Sequence, residues 1–310
     1  MRPSTCVLAL AVAAIVAGVP NVFAQPPATP ADALLKQSQQ QLRDGNSEQA
    51  LALAEQAVAA NPELSAAHVQ MGVLLDLSGQ YAKARSHFQT AIDKAANPDE
   101  SARALRSMAM SYAFEGDCAG ATPFEARLYD RYLAAKDFYD AGEIADELAR
   151  VCLESGDVDA AESWYRKGHD AGVQEPGLTA ARRDLWRFRW EHAQARIAAR
   201  RGDADAAAQH VAAAKAALDT GTNPQQAVFF PYLTGYVAFY NGNYQQALTD
   251  LAGANQNDPF IQVLIAQALE KTGRTADAMD HYRRAAAATA HNPPAAAAIP
   301  LARRKLQAAH

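Results

Sequence analysis

The segment GQYAKA at residues 79–84 is one of seven in this chain that follow the pattern Gly-x4-Ala. Seven residues before each of these glycines stands a small residue. The spacing indicates two packed helices joined at the glycine, because a small residue in the first helix allows close approach of the second helix, whose alanine lies at the contact. The seven segments are GNSEQA from Gly45, GQYAKA from Gly79, GDCAGA from Gly116, GDVDAA from Gly156, GDADAA from Gly202, GNYQQA from Gly242 and GRTADA from Gly273. The preceding small residues are Ser38, Gly72, Ala109, Ala149, Ala195, Gly235 and Ala266.

The residues around each segment predict helices on both sides of the glycine. Glycine tolerates the left-handed conformation that ends a helix, and the Asp or Asn that follows several of these glycines suits the next N-cap. Positions four and seven residues beyond the alanine lie on one helical face. In several repeats the first of these positions holds a large apolar residue and the second an alanine, namely Phe88, Tyr165, Leu251 and Tyr282, and Ala57, Ala91, Ala254 and Ala285.

Together these residues resemble the tetratricopeptide repeat (TPR) family, whose repeats place a small residue, a glycine turn, an alanine, an aromatic residue and a proline in this order. The resemblance covers residues 31–292 and is closest in repeats two and six. It implies an all-α fold, a right-handed superhelical solenoid of about seven helix pairs. It also implies a general protein-interaction scaffold, without specifying the partner.

The middle repeats depart from the pattern. The distance from one turn glycine to the next varies from 31 to 46 residues, which predicts longer helices or inserts there. In repeat three, Thr122-Pro123 lies early in the second helix, where proline is tolerated only in the first turn. We therefore expect that helix to begin near Pro123. Glu125 replaces the usual aromatic residue in the same helix.

The first 24 residues have the order of a secretory signal peptide. Arg2 precedes an apolar run at 7–19, and cleavage is expected after Ala24. An uncleaved membrane anchor is the alternative, but a bilayer requires roughly 20 apolar residues. We expect a signal peptide at 1–24, a disordered leader at 25–31, the TPR-like solenoid at 32–292, and a C-terminal capping helix and tail at 293–310 that covers the open end. The predicted location is periplasmic or secreted, with no integral membrane span.

Two cysteines remain after removal of the predicted signal peptide, because Cys6 lies within it. An even number of cysteines in an exported protein favours one disulfide, here between Cys118 and Cys152. Two buried thiols are the alternative. The separation excludes a CxxC redox pair, and two cysteines without matching histidines do not form a zinc site.

Composition and motifs exclude several classes of function. Lys and Arg total 29 against 34 Asp and Glu, so the net charge of −5 disfavours a nucleic acid partner. The sequence contains no GxGxxG, P-loop, GxSxG or HExxH motif, and no two of its eight histidines are three or four residues apart. We therefore expect no enzymatic activity, no cofactor and no metal site.

The candidate binding residues lie on the first helix of each repeat, which lines a concave groove if the resemblance to the TPR family holds. We expect ligand contact to centre on repeats five and six, where a cationic row lies beside an aromatic row. The candidate groove residues are Arg103 and Arg106 in repeat three, Glu143, Asp146 and Arg150 in repeat four, Arg189, His192 and Arg196 in repeat five, and Phe229, Tyr232, Tyr236 and Phe239 in repeat six.

The aromatic row has an alternative interpretation, because aromatic residues at helical spacing usually belong to a core. Gly235 and Ala238 occupy positions that should face the core, which turns the rings elsewhere, so both interpretations stay open. Trp186 and Trp190 lie among arginines in a helix expected over 179–201. Stacking of arginine on tryptophan within packed helices is favoured there over stacking on nucleic acid bases.

The function predicted is a protein-binding or peptide-binding scaffold of the cell envelope. The alternative is a binder of glycan or another small ligand through the aromatic and arginine side chains of repeats five and six. Some TPR domains capture a C-terminal carboxylate with Lys and Asn at fixed positions of the first repeat. This chain has Leu35 and Gln39 there, so that recognition is not implied.

Overall fold

The computed structural model describes residues 29–309, and every regular element in that range is helical. The predicted signal peptide and residues 25–28 of the leader lie outside the described residues. Fifteen α-helices and one 3₁₀ helix follow one another along this range. They are α1 Pro30–Arg43, α2 Ser47–Ala60, α3 Ser65–Leu77, α4 Tyr81–Asp93, α5 Pro98–Phe114, α6 Cys118–Ala134, α7 Phe138–Ser155, α8 Val158–Gly172, α9 Ala180–Arg201, α10 Ala204–Asp219, the 3₁₀ helix Pro224–Phe229, α11 Phe230–Tyr240, α12 Tyr244–Leu251, α13 Pro259–Lys271, α14 Thr275–Ala286 and α15 Pro293–Ala308.

The first fourteen α-helices form the seven predicted pairs, and a turn glycine separates the two helices of each pair. All seven turn glycines have positive φ, between 71° and 96°, a conformation that side chains with a Cβ rarely adopt. The alanine five residues after each glycine is completely buried at the contact between the two helices. These alanines are Ala50, Ala84, Ala121, Ala161, Ala207, Ala247 and Ala278. The predicted all-α solenoid is therefore confirmed.

The small residue in the first helix makes room for a large side chain of the second helix. A Cβ added to Gly72 would lie 2.4 Å from the ring of Phe88. A Cβ added to Gly235 would lie 2.6 Å from the side chain of Leu251. Each repeat therefore packs a small residue of one helix against a bulky residue of the other, as the spacing predicts.

Helix α1 begins earlier than expected from the leader. Thr29 is the N-cap and Pro30 the first helical residue, two positions before Asp32, where folding is expected to start. The Thr29 hydroxyl accepts from the Asp32 backbone, and the Asp32 carboxylate accepts from the Thr29 backbone, which forms a capping box. Proline suits the first helical position because its missing N–H would have no partner there.

Helix α6 also differs from the prediction, because it begins at Cys118 and not near Pro123. Asp117 caps the helix by accepting from the Gly120 backbone at 2.8 Å, and the Thr122 hydroxyl donates to the Cys118 carbonyl at 2.8 Å. Pro123 removes only one hydrogen bond close to the start of the helix, so the seventeen-residue helix tolerates it. Local capping therefore outweighs the proline.

Cys118 and Cys152 are joined by a disulfide, as predicted. The bond links the start of α6 to the last turns of α7, with the two Cα atoms 4.8 Å apart. Repeats three and four are therefore connected covalently across 34 residues of sequence.

Helix α15 begins at Pro293 and packs against α13 and α14 at the end of the solenoid. It also does more than cap the end, because its other face packs against α5 and α7, the first helices of repeats three and four. Ala298 and Ala302 belong to the core of the last repeats, whereas Ala295, Ala296 and Ile299 belong to the core of the first ones. The chain end thus lies across first helices that were expected to line an open groove.

A buried polar contact holds the segment just before α15 against α3. Just before α15, His291 Nε2 lies 2.8 Å from the Asp76 carboxylate of α3, across 215 residues of sequence. The Ser111 hydroxyl donates to the same carboxylate at 2.8 Å. The His291 ring lies 5.3 Å from the Phe114 ring, centroid to centroid.

Within residues 29–309, no helix has both the length and the apolar character needed to cross a bilayer.

Candidate ligand-binding cavity

The part of the inner surface that α15 leaves free is a cavity of about 780 Å³. Its walls come from α7, α9, the 3₁₀ helix and the start of α11, and it is completed by the loop before α13 and the first residues of α15. Eight of the twelve candidate groove residues line this cavity. They are Glu143, Asp146, Arg150, Arg189, His192, Arg196, Phe229 and Tyr232.

Two of the other predicted residues lie on α5. Arg103 is exposed on α5, and Arg106 forms a bidentate ion pair with Glu147, which itself lines the cavity. Arg106 therefore contacts the cavity lining through Glu147, and Arg103 is not part of the lining.

Tyr236 and Phe239 need a correction, because they are outside the cavity lining and pack within the helices. The Tyr236 side chain is completely buried, with its ring 4.5 Å from that of Tyr240 and its hydroxyl 3.3 Å from Nη1 of Arg200. Phe239 is half-buried with its ring edge-on to Tyr240 and Tyr244. Neighbouring helices cover these positions, so the core interpretation holds for this half of the aromatic row.

The arginines of the cavity have different surroundings. Arg189 is paired with Glu143, and Arg196 donates from Nη2 to the Tyr165 hydroxyl at 2.8 Å. Arg150 lies over the Tyr232 ring, with its Cζ 5.6 Å from the ring centroid. The Nε and Nη2 atoms of Arg150 are buried and have no hydrogen-bond partner among the described residues.

Two further polar groups of the cavity lack a partner in the described part of the chain. The Tyr232 hydroxyl is buried without a hydrogen bond, in a residue that is only 6% exposed. The Nε2 atom of His192 is in the same state. Burial and the neighbouring Arg196 and Arg150 hold the pKa of His192 well below its usual range, so the ring is neutral at pH 7.

The carboxyl groups near these arginines are also shifted by burial. Burial raises the pKa of Asp146 to about 7, with Glu143 acting in the same direction and Arg189 and Arg196 in the opposite one. Behind the lining, Glu154 is paired with Arg200 at 3.4 Å, and burial raises its pKa as well. The cavity is therefore less negative at neutral pH than its residue types suggest.

An apolar region adjoins the polar wall. Val228 and Phe229 at the end of the 3₁₀ helix are 62% and 49% exposed, which is unusual for large apolar side chains in this protein. Phe188 and Ile261 add apolar surface inside the cavity. The site thus combines arginine side chains with exposed aromatic and aliphatic surface.

Some cavity residues are absent from the sequence-based list. Tyr165 lies on a second helix, α8, and Asn255 and Asp258 lie in the loop before α13. Pro293 and Pro294 come from the returning α15. A search limited to the first helix of each repeat omits all of them, and no local sequence signal indicates that α15 returns to the inner surface.

The two tryptophans of α9 have the packing role that the sequence favours. Arg189 lies over the Trp186 ring at 5.0 Å and Arg166 over the Trp190 ring at 5.3 Å. Gly142 and Gly172 make room for Trp186, since a Cβ on either glycine would lie within 2.3 Å of its ring. Within residues 29–309, no three His, Cys, Asp or Glu side chains converge in a way that could hold a metal ion.

Comparisons with known proteins agree with the repeat architecture. Two family models, both described as tetratricopeptide repeat, match residues 41–109 and 232–293. No curated protein matches the chain.

Similar solved structures include a tetratricopeptide repeat protein from Parabacteroides merdae ATCC 43184, with 14% identity, a TM-score of 0.47, and coverage of 82% of this chain and 91% of that chain. Another is PilW, a widely conserved type IV pilus biogenesis factor, with 15% identity, a TM-score of 0.48, and coverage of 73% of this chain and 92% of that chain. The two matched segments include repeats at both ends of the solenoid, and the repeats between them have the same glycine turns and buried alanines. The chain is a tetratricopeptide repeat protein.

Proposed function

We propose that this protein is a non-enzymatic scaffold of the cell envelope that binds an extended segment of a partner protein in the cavity. The observation that carries the proposal is a cavity on the inner surface whose arginine and tyrosine side chains include buried groups without partners. Such groups are costly when unpaired, so they favour a site that a ligand completes. TPR folds are in general protein-interaction scaffolds.

The residues proposed to contact the segment are those that both the sequence pattern and the cavity include. Arg150, Arg189 and Arg196 supply charge-assisted hydrogen bonds, and Phe229 and Tyr232 supply aromatic contact area. His192 lies between them as a neutral polar group.

The proposed location outside the cytoplasm has two supports. The order of residues 1–24 is that of a signal peptide, and the disulfide between Cys118 and Cys152 is compatible with an oxidising compartment. Cell fractionation, with thiol alkylation before lysis, tests the location: a periplasmic or secreted protein with no alkylated cysteine is expected.

A second candidate function is binding of a glycan or another small ligand. The volume of about 780 Å³ is within the range of small-molecule sites, and the exposed Phe229 ring offers a stacking surface. A peptide is favoured because the cavity continues the inner surface along which first helices succeed one another.

Photo-crosslinking in the native cell tests the main proposal. A photoreactive residue replaces Val228 at the cavity mouth in one variant and Val173, an exposed valine after α8, in a matched control. The expected result is an adduct from position 228 that maps to one segment of one protein, and none from position 173. Adducts that are absent, or identical from both positions, would contradict the proposal.

A further inference from the structure

We infer that the segment bound in the cavity presents a carboxylate to Arg150 and Tyr232 and places an apolar side chain against Phe229. This inference rests on the proposed function, since it states the chemistry of the segment that the cavity accepts. It follows from three observations: the charges that remain unpaired, the hydrogen-bond donors that remain free, and the exposed apolar surface next to them.

Most charged groups of the cavity already have partners. Glu143 is paired with Arg189, and Glu147 is paired with Arg106. Asp258 caps α13, accepting from the Phe260 backbone at 2.8 Å.

What remains in the lining is Arg150 and Arg196 against Asp146 and Asp258, since the helix cap leaves the charge of Asp258 in place. Arg196 is 5% exposed, and its Nη2 bonds to a neutral hydroxyl, that of Tyr165. Because burial raises the pKa of Asp146 to about 7, the two arginines outnumber the ionised carboxylates at neutral pH, which favours an anionic ligand.

The free edge of Arg150 has the geometry that a carboxylate requires. Its Nε and Nη2 atoms lie on the same edge of the guanidinium, and both lack an acceptor among the described residues. Arg106 uses the corresponding edge to bind both oxygens of Glu147, with Nε 2.9 Å from Oε1. The same bidentate contact is available to Arg150 once a ligand supplies the two oxygens.

The Tyr232 hydroxyl supplies a further donor below Arg150. It is buried and lacks a hydrogen bond to any described residue, and the Arg150 guanidinium lies over its ring. The Nε and Nη2 atoms of Arg150 and the Tyr232 hydroxyl are buried, whereas Arg150 as a whole is partly exposed. The inference requires that the Arg150 side chain turns into the cavity on binding, so that its free edge and the hydroxyl reach the same oxyanion.

The exposed apolar side chains at the cavity mouth indicate that the ligand has an apolar part. Among the described residues, only three large apolar side chains are strongly exposed, and two of them, Val228 and Phe229, line this cavity. A side chain next to the carboxylate would cover them and remove apolar surface from water. A C-terminal apolar residue and an acidic residue followed by an apolar one both offer this arrangement.

Calorimetric titration with synthetic peptides tests the inference. The probes are acetyl-Gly-Gly-Phe with a free carboxylate, the same peptide as an amide, acetyl-Gly-Asp-Phe-amide, and inorganic phosphate. We expect the free acid to bind at least tenfold more tightly than its amide. Equal affinity of the Asp-containing amide would identify a side-chain carboxylate as the source, and weak binding of it would identify the chain end.

Two variants separate ligand binding from folding. Arg150→Met should abolish the tenfold preference for the acid, yet leave the unliganded protein at least as stable to urea as the parent, because it removes two buried nitrogens without an acceptor. Arg103→Ala removes an exposed arginine outside the cavity and should change neither property. A destabilised Arg150→Met protein would assign Arg150 to the structure and overturn the inference.

Other results of the titrations would overturn the inference or separate it from the proposed function. Equal binding of acid and amide, absence of binding by all four probes, or phosphate binding as tightly as the acid peptide would overturn the inference. If crosslinking from position 228 finds one partner segment while acid and amide bind equally, the proposed function stands and the inference fails. If the acid is preferred but no crosslinked partner appears, the carboxylate site stands and the protein-binding function fails.

Discussion

Asp146 shows how burial of a single residue makes the cavity sensitive to pH. Its pKa is raised to about 7 by burial and by Glu143, against the opposing effect of Arg189 and Arg196, from a usual value of 3.8. Between these two values the folded protein holds a proton that the unfolded chain releases. The stability contributed by that proton is therefore complete below pH 4, declines as the pH rises towards 7, and is absent above it.

The asparagine side chain of the variant Asp146→Asn stays neutral at every pH. The variant should therefore become more stable relative to the parent as the pH rises. Between pH 5 and pH 8 we expect the difference in free energy of unfolding to change by about 2 kcal/mol in favour of the variant. Urea denaturation of both proteins at the two pH values measures this. Asp205→Asn, at an exposed position of α10, is the matched control. A difference that does not vary with pH would refute the expected protonation.

Tyr236 illustrates why one helix face is hard to assign from its own sequence. Gly235 lies against Leu251 of α12, and the next residue, Tyr236, is covered by Arg200 of α9 and Phe260 of α13. Tyr236→Ala should therefore lower the free energy of unfolding by about 3 to 5 kcal/mol, as expected for an emptied aromatic core site. Phe239→Ala, at a half-buried ring, should cost less. If urea denaturation gave comparable losses of unfolding free energy for the two variants, or a negligible loss for Tyr236→Ala, Tyr236 would belong to the groove and not to the core.

At the scale of helices, the sequence predicts well wherever one glycine and one alanine decide the geometry. All seven turns and pair contacts appear where the pattern places them, because positive φ and close helix contact each tolerate few residue types. Prediction fails where several weak effects compete. Capping by Asp117 outweighs Pro123 at the start of α6, and the 3₁₀ helix Pro224–Phe229 follows no repeat position.

The disulfide acts at this same scale, because it fixes the start of α6 to α7. It closes 34 residues, so its reduction should lower the free energy of unfolding by about 3 to 4 kcal/mol on the chain-entropy model. Urea denaturation with and without reductant measures the loss. The double variant Cys118→Ala/Cys152→Ala should lack any response to reductant. An equal response of both proteins would mean that the reductant acts elsewhere.

At the scale of the whole molecule, the return of α15 determines how much inner surface remains available. Its alanine-rich face fits closely against α5 and α7, and its first residues form one wall of the cavity. Periodicity within a repeat contains no information about contacts across some 200 residues. The candidate arginines could be predicted from the sequence. The cavity that they line could not, because its walls form only when α15 packs against distant helices.

The contact between His291 and Asp76 should be essential for this closure. Asp76 is completely buried, and burial raises its pKa, while His291 and Ser111 act in the opposite direction. His291→Ala leaves the carboxylate with only the Ser111 hydroxyl, so we expect a loss of about 1 to 3 kcal/mol, typical of a buried acceptor that loses a hydrogen-bond partner. Asp76→Asn in the same protein removes the buried charge and should restore much of the stability.

Urea denaturation of the two single variants and the double variant measures this coupling, and small-angle X-ray scattering reports whether the solenoid opens. We expect a larger radius of gyration for His291→Ala than for the double variant, because an unpaired carboxylate gains hydration when α15 separates from α5 and α7. If the single variants are independent and additive, the pair does not hold the chain end in place. The apolar contacts of Ala295, Ala296 and Ile299 would then account for the closure alone.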